Sequence, residues 1–267
     1  METKTKAFMQ SLKKIFMSRF IFLIGFLALW ETVYYLKLWP PMLFPSVQTI
    51  VVSLYKNLIN GELLVRTYYS LILIIDGMLI GIVLAAVLTA LAMSSKTAKN
   101  FVNSIIAVMH PLPGIALLPL ILLWFGLGKG PVIFIIVHSV LWPILLNTMS
   151  GFSSVTQLYR DFGMNIGLSK IGLIRGIYIP ATLPNIYAGL KIGWARAWRA
   201  LISAEMIAGA TGKASGLGWY IYDKHSYLDV PAIFAAIVVI VLIGLIVEDV
   251  FFNQIEKHTT RKWGMES

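Results

Sequence analysis

The sequence predicts an all-α integral membrane protein with six membrane-spanning helices, and three observations carry that prediction. Of its 267 residues 58% are hydrophobic and 13% charged, with a mean hydropathy of +0.80. Such a chain lacks the polar coat that a soluble domain of this length needs. Apolar runs long enough to cross a hydrocarbon core of ~30 Å recur along it. The 22 Lys and Arg residues also sort by side. With both termini inside, fourteen fall in inner segments and six in outer ones, leaving Arg196 and Arg199 within a span. That asymmetry follows the positive-inside rule. The net charge of +10 is therefore topological and not the footprint of a nucleic-acid partner. There is no cysteine, which excludes disulfide scaffolds and thiol chemistry. No stretch is polar enough for a separate soluble catalytic domain, so residues 1–267 read as one transmembrane domain in contact with the lipid bilayer, with a core at about 66–252.

Residues 1–19 form a basic inner segment. The first span, near 20–36, carries Glu31 near its end and lacks a small-residue cleavage site, so it reads as a retained anchor. In "PPMLFPSVQTIVVSLYKNLING", Val47, Ile50, Val51, Leu54 and Leu58 recur at helical spacing. This is an amphipathic helix at the outer interface, capped by Ser46 and ended at Asn60-Gly61. The second span, near 68–93, has Gly77, Gly81, Ala85 and Thr89 at every fourth residue, a stripe that lets another helix approach closely. The third, near 101–125, is interrupted by "HPLPGIALLP". Its prolines and Gly114 break or kink the helix, which predicts a short helix followed by a span. The fourth, fifth and sixth spans lie near 131–151, 184–208 and 231–252.

Motifs for chemistry fail on inspection. Gly212-Lys213 lacks the upstream glycine and the following Ser or Thr of a phosphate loop, and "GLGKG" at 126–130 lacks the third glycine of a dinucleotide fingerprint. The four histidines show no metal-ligand spacing. Nothing here looks like an enzyme active site, and the chain is expected to hold no cofactor or metal of its own.

One inner segment, about 155–183, stands out. Within it "GLSKIGLIRGIYIP" has two basic residues, three glycines and a proline, so it does not cross a bilayer. Phe162, Met164 and Ile166 alternate with polar residues upstream, and Ile171, Leu173, Ile174 and Ile177 form an apolar edge downstream. Two short amphipathic helices with a turn at Gly167 follow, since glycine permits a sharp bend, and Pro180 closes the segment. Exposed apolar side chains there call for a partner or for the lipid surface.

"DFGMNIGLSKIGLIRGIYIP" resembles the EAA loop of permease subunits from binding-protein-dependent ABC importers. That motif runs acid–Ala–small, three residues, Gly, nine residues, then Ile–x–Leu–Pro. Asp161 takes the acidic position, Gly163 the small one and Gly167 the glycine, followed after nine residues by Ile177, Tyr178, Ile179 and Pro180. Asp replaces Glu, Phe162 replaces Ala and Ile179 replaces Leu. "FPSVQTI", "LPLILLWFGLGKGP", "NTMSGF", "AGLKIGWARAWRALISAEMIAG" and "TTRKWGM" are similar to the nitrate, sulfonate and taurine branch of that family. The resemblance implies the type I importer fold in a bacterial inner membrane, with both termini cytoplasmic. It also implies a second permease copy, two cytoplasmic ATPase subunits that hold ATP and Mg, and an extracytoplasmic binding protein. Asp161, Gly163, Gly167, Ile177 and Pro180 would then belong to the coupling helix, where Asp161 either caps a helix or meets a basic residue of the ATPase. The implied solute is a small anion, although the branch also carries thiamine-precursor pyrimidines. A secondary transporter with an incidental loop is the competing class.

Two groups of residues keep alternative readings. Arg196 and Arg199 lie on one face of the fifth span, with Trp198 and Ser203 nearby, and Glu205 sits about 120° round from Arg199. Charges at this depth cost ~2.5–3.5 kcal/mol each and face a cavity or a partner. Either the arginines pair with acids such as Glu205 or Asp76 to lock the bundle, or they line the path and attract an anion. Trp219, Tyr220, Tyr222 and Tyr227, in the aromatic outer segment, either dock the binding protein or sit in the interfacial aromatic belt.

Overall fold

The computed structural model describes residues 21–208 and 215–254, and their regular structure is helical. In order they are α1 (Ile21–Tyr35), α2 (Val47–Ile59), α3 (Glu62–Ser94), α4 (Lys96–Met109), a 3-10 turn (Gly114–Leu117) that leads into α5 (Leu118–Phe125), and α6 (Lys129–Ser154). There follow α7 (Gln157–Asn165), α8 (Lys170–Leu173), a π turn (Ile174–Tyr178), α9 (Ile179–Ala208), α10 (Leu217–Ser226), α11 (Val230–Ile246) and a second π turn (Val247–Phe252).

Among the described residues three helices are long and apolar enough to cross a membrane: α3, α6, and α11 with its π turn. The α4–α5 pair, bent by 80°, makes a fourth if it is taken as one broken span and not as a re-entrant loop. The expected short helix followed by a full span is not what forms. Pro111 and Pro113 stop α4 at Met109, and the second limb, Gly114–Phe125, is too short to cross at 1.5 Å per residue. Among the others, α1 is a shorter apolar helix. The 30 residues of α9 are length enough, but Lys191, Arg196, Arg199 and Glu205 reduce its apolarity.

The described residues divide into two compact units. The smaller takes residues up to Glu62 together with Asp223–Ile237. Its core is Trp30, which stacks on Phe44 at 4.2 Å, meets Phe234 edge-on at 5.0 Å and donates its indole N–H to the Pro45 carbonyl at 3.0 Å. Glu31 Oε1 accepts from the Val47 amide at 2.8 Å, and Ser46 Oγ accepts from Thr49 N at 3.2 Å, so two side chains cap α2. That helix ends at Asn60, and Gly61 turns the chain at φ 78°.

The larger unit, Leu63–Tyr222 with the chain from Val238 onward, is built round α6. Small residues let its neighbours close on it. A Cβ at Gly77 or Gly81 of α3 would overlap Ile136 or Val140 of α6. On α9, Gly189 lies against Ile144, Asn147 and the Pro143 carbonyl, and Gly193 against Ile144. The α3 stripe is thus spent on packing within the chain. In the first half of α9, Lys191 Nζ meets Glu248 Oε1 of the second π turn at 3.0 Å, and the Tyr187 hydroxyl donates to the Phe252 carbonyl.

Candidate functional site

A cavity of about 420 Å³ opens within the larger unit. One wall is α9, which contributes Arg196, Arg199, Ala200 and Ser203; the middle of α6 contributes His138, Ser139 and Trp142. The third wall is the nonhelical bend His110–Pro113 with the start of the 3-10 turn, Gly114 and Ile115. Non-helical backbone at membrane depth persists only where protein buries it or it lines a cavity. Here Gly114 makes that wall possible: a Cβ would stand 3.1 Å from His138 Nδ1 and 3.3 Å from Ser139 Oγ.

The arginines and Ser203 therefore face one space, as their spacing on α9 predicts. Arg199 is exposed and donates through Nε to the Ala195 carbonyl of its own helix at 3.2 Å. Among the described residues the ion pairs are Lys191–Glu248 and Lys224–Glu62, so neither cavity arginine meets a carboxylate. Three expected companions lie elsewhere. Trp198 is buried in the bundle, edge-on to Trp194 at 6.0 Å. Asp76 is exposed on the face of α3 opposite its small-residue stripe, with Ile75, Leu79 and Ile80 exposed around it.

Glu205 is the clearest correction. It is 4% exposed, and its Oε2 accepts from the Gly218 amide at 2.7 Å. The Ser70 hydroxyl of α3 lies 3.3 and 3.4 Å from its two oxygens and accepts from the Leu217 amide at 2.9 Å. Arg66 donates to the Ser215 carbonyl at 3.0 Å and to its hydroxyl. Glu205 thus holds the N-terminus of α10 instead of pairing with Arg196 or Arg199, which suits a carboxylate because the first amides of a helix lack partners and carry partial positive charge. Gly216 and Gly218 admit this, since a Cβ on either would run into Glu205.

Of the outer aromatics, Trp219 and Tyr222 lie 5.3 Å apart; Trp219 is half-buried and Tyr222 exposed. Tyr227 is exposed as well. Tyr220 is 1% exposed, so it belongs to the core and leaves the candidate docking set. Residues 209–214 of that segment lie outside the described residues.

In the segment expected on the inner side, α7 ends in a Schellman motif. The Gly167 amide donates to the Met164 carbonyl at 3.0 Å and the Leu168 amide to the Gly163 carbonyl at 3.0 Å, with Gly167 at φ 80°. Gly163 is buried against Leu173 and Ile177, where a side chain would collide with both. Gly163 and Ile177 thus bind the hairpin together from within. Leu158, Tyr159, Phe162, Ile166 and Ile171 are left exposed. Asp161 lies in the interior of α7, so it caps no N-terminus. Pro180 does not close the segment; it enters the first turn of α9, directly after the π turn. A widened turn there relieves the clash between a proline ring and the carbonyl four residues earlier.

Sequence reasoning passed over His110, His138, Ser139 and Trp142 as cavity walls, and the Ser70–Glu205 clamp. The "HPLPG" break was the available signal for the first group; nothing local announces the second.

Residues 77–261 match the family model described as binding-protein-dependent transport system inner membrane component. The chain is 30% identical over 212 residues to a putative ABC transporter permease protein of Methanocaldococcus jannaschii, covering 78% of each. It is 29% identical over 228 residues to the taurine transport system permease protein of Escherichia coli, covering 83% of this chain and 81% of that one. It is 26% identical over 237 residues to a putative aliphatic sulfonates transport permease protein of Bacillus subtilis, covering 89% and 84%.

Proposed function

The chain belongs to the family of binding-protein-dependent transport system inner membrane components, and from that membership we propose how its parts serve ATP-driven import. It is a multi-pass membrane permease of an ABC importer, a transport subunit and not an enzyme. The solute is a small anion of the sulfonate, taurine or nitrate kind, in keeping with the relatives named for taurine and aliphatic sulfonates. ATP is hydrolysed with Mg in separate ATPase subunits. Six spans, α1, α3, the bent α4–α5 pair, α6, α9 and α11, place both termini in the cytoplasm, a topology supported by the distribution of Lys and Arg.

Two copies of the chain enclose the path, and the cavity walled by Arg196, Arg199 and Ser203 belongs to it. The α7–α8 hairpin, with Asp161, Gly163, Gly167, Ile177 and Pro180, couples to the ATPase. Its unpartnered apolar residues support that role. A binding protein docks on the outer side, where Trp219, Tyr222 and Tyr227 offer aromatic contact area.

The observation that carries the path reading is the pair of arginines on a cavity wall with no carboxylate partner among the described residues. A guanidinium at this depth needs water or an anion, and its planar fork matches sulfonate or nitrate oxygens. The test compares Arg199→Lys with Arg199→Gln in the assembled transporter. ATPase activity should survive in both, while anion uptake falls, more steeply for Gln than for Lys. Unchanged uptake in Arg199→Gln, or failure of that variant to assemble, defeats the path reading.

A further inference from the structure

The helix α4 gathers its polar residues on one arc, and that arc ends at the cavity. Asn100, Asn103, Ser104 and Ala107 are exposed, and His110, half-buried at the C-terminal end, is a cavity wall. These five positions fall within about a third of the helix circumference at 3.6 residues per turn. Val102 and Ile106 occupy the buried side, at 0% and 9% exposure. A third surface holds Phe101 and Val108, which align along the helix and are 60% and 65% exposed.

Each surface asks for a different neighbour. The buried one packs within the chain, and the exposed apolar one suits acyl chains. A carboxamide does not: it presents two donors and an acceptor, and placing it in hydrocarbon without partners is costly. The polar arc therefore calls for water. Continuity with the cavity supplies it, because the arc runs into the space that Arg196, Arg199 and Ser203 line. From Asn100 to His110 it extends about 15 Å along the axis, half of a hydrocarbon core of ~30 Å. Lys96, the exposed first residue of α4, stands at its other end.

We propose that this arc of α4 is the wetted lining of the inner half of the translocation path, leading the anion from the cavity to the cytoplasmic end of α4 at Lys96. The inference rests on reading the cavity as part of the path and on the topology proposed with it. It assigns the exit to neutral side chains where the cavity is cationic. Amides and a hydroxyl exchange hydrogen bonds with a passing oxyanion and lack the full charge that would hold it in place.

Because the sequence has no cysteine, single thiols placed along α4 report on its surroundings. The probe is 2-sulfonatoethyl methanethiosulfonate, a small anion that reacts with the thiolate and so with thiols that meet water. It is applied to the permease–ATPase complex in nanodiscs, and modification of the permease chain is followed by mass. Asn100→Cys, Asn103→Cys and Ala107→Cys should react about tenfold faster than Phe101→Cys and Val108→Cys, whose thiols face lipid and stay un-ionised. In proteoliposomes made from treated complexes, the adduct at position 107 should stop ATP-driven anion uptake, and treatment of Phe101→Cys should not change it. Ser203→Cys on the cavity wall is the reference for the path itself. Reaction there without reaction at 100, 103 and 107 overturns the inference and leaves the path reading standing; no reaction at any of the four takes both down. Equal rates at all five α4 positions overturn it by removing the sidedness. A disulfide between two copies at position 103 in place of labelling overturns it by making the arc a helix–helix contact. Ala107→Cys, the smallest change, carries the test if an Asn variant does not assemble.

Discussion

Glu31 and Glu205 lie in apolar surroundings, and each ends at the N-terminus of a short helix. Glu31 accepts from the first amide of α2, and Glu205 from the second amide of α10. Both are acids supplied from elsewhere in the chain to helix ends that favour negative charge. Replacing Glu205 by Ala leaves the Gly218 amide without its acceptor in a buried place, a loss of about 2 kcal/mol. Glu205→Gln keeps one carbonyl oxygen and should lose less. Thermal unfolding of the purified permease ranks the three proteins, and an Ala variant as stable as the wild type removes the clamp. Before the fold is known, Glu205 is one charge among several on a helix that also bears two arginines. Its partners come from residues 70 and 215–218, and no spacing rule links those positions.

At the scale of elements, the α7–α8 hairpin depends on two glycines for different reasons. Gly167 supplies a left-handed residue, which costs an L-residue other than Gly about 1–2 kcal/mol, and Gly163 supplies empty volume. Asn tolerates the left-handed region better than β-branched or bulky residues do. Gly167→Asn should therefore retain much of the ATP-driven uptake and Gly167→Val little, with both proteins at normal levels in the membrane because the hairpin lies outside the bundle. Equal uptake in the two variants would show that the turn is not needed for coupling. Close contact between α3 and α6 makes a second prediction of this scale. Leu at position 81 overlaps Val140, a buried residue that has no room to retreat. Gly81→Leu should lower the yield of folded protein in detergent severely and Gly81→Ala less so; wild-type yield for Gly81→Leu would contradict the packing described. The hairpin was legible because its turn and its apolar spacing are local. The break at Pro111–Gly114 was legible as a break, but not as a cavity wall, because what it faces comes from α6 and α9.

At the scale of the molecule, one chain leaves a good deal of apolar surface, the exposed Arg199 and the exposed Asp76 without cover. Lipid suits the first, but charged side chains in mid-span seek water or protein. The proposed second copy, related by a two-fold axis, would supply both, since an isologous interface repeats each contact. Native mass measurement of the purified complex should therefore find two permease chains per assembly, and a permease monomer that supports transport would refute this. The absence of cysteine from the whole sequence allows single introduced cysteines on α9 to map that interface by cross-linking against no background.

What the sequence determined by itself is whatever depends on near neighbours or on summed composition. That covers the membrane class, the positions of the α3, α6 and α11 spans, the α2 helix with its Ser46 cap, the turn at Gly167 and the sharing of one α9 face by Arg196 and Arg199. Hydropathy, capping and helical periodicity all act within a few turns, so a single chain displays them. Only the tertiary structure decided which polar groups meet. It placed His138 and Trp142 on the cavity that Arg196 and Arg199 line, gave Glu205 to α10 instead of Arg199, turned Asp76 outward and buried Tyr220. Those pairings join residues tens to more than a hundred positions apart, and they follow from how close small residues let α3 and α9 come to α6, a distance that is a property of packed helices and not of any one of them.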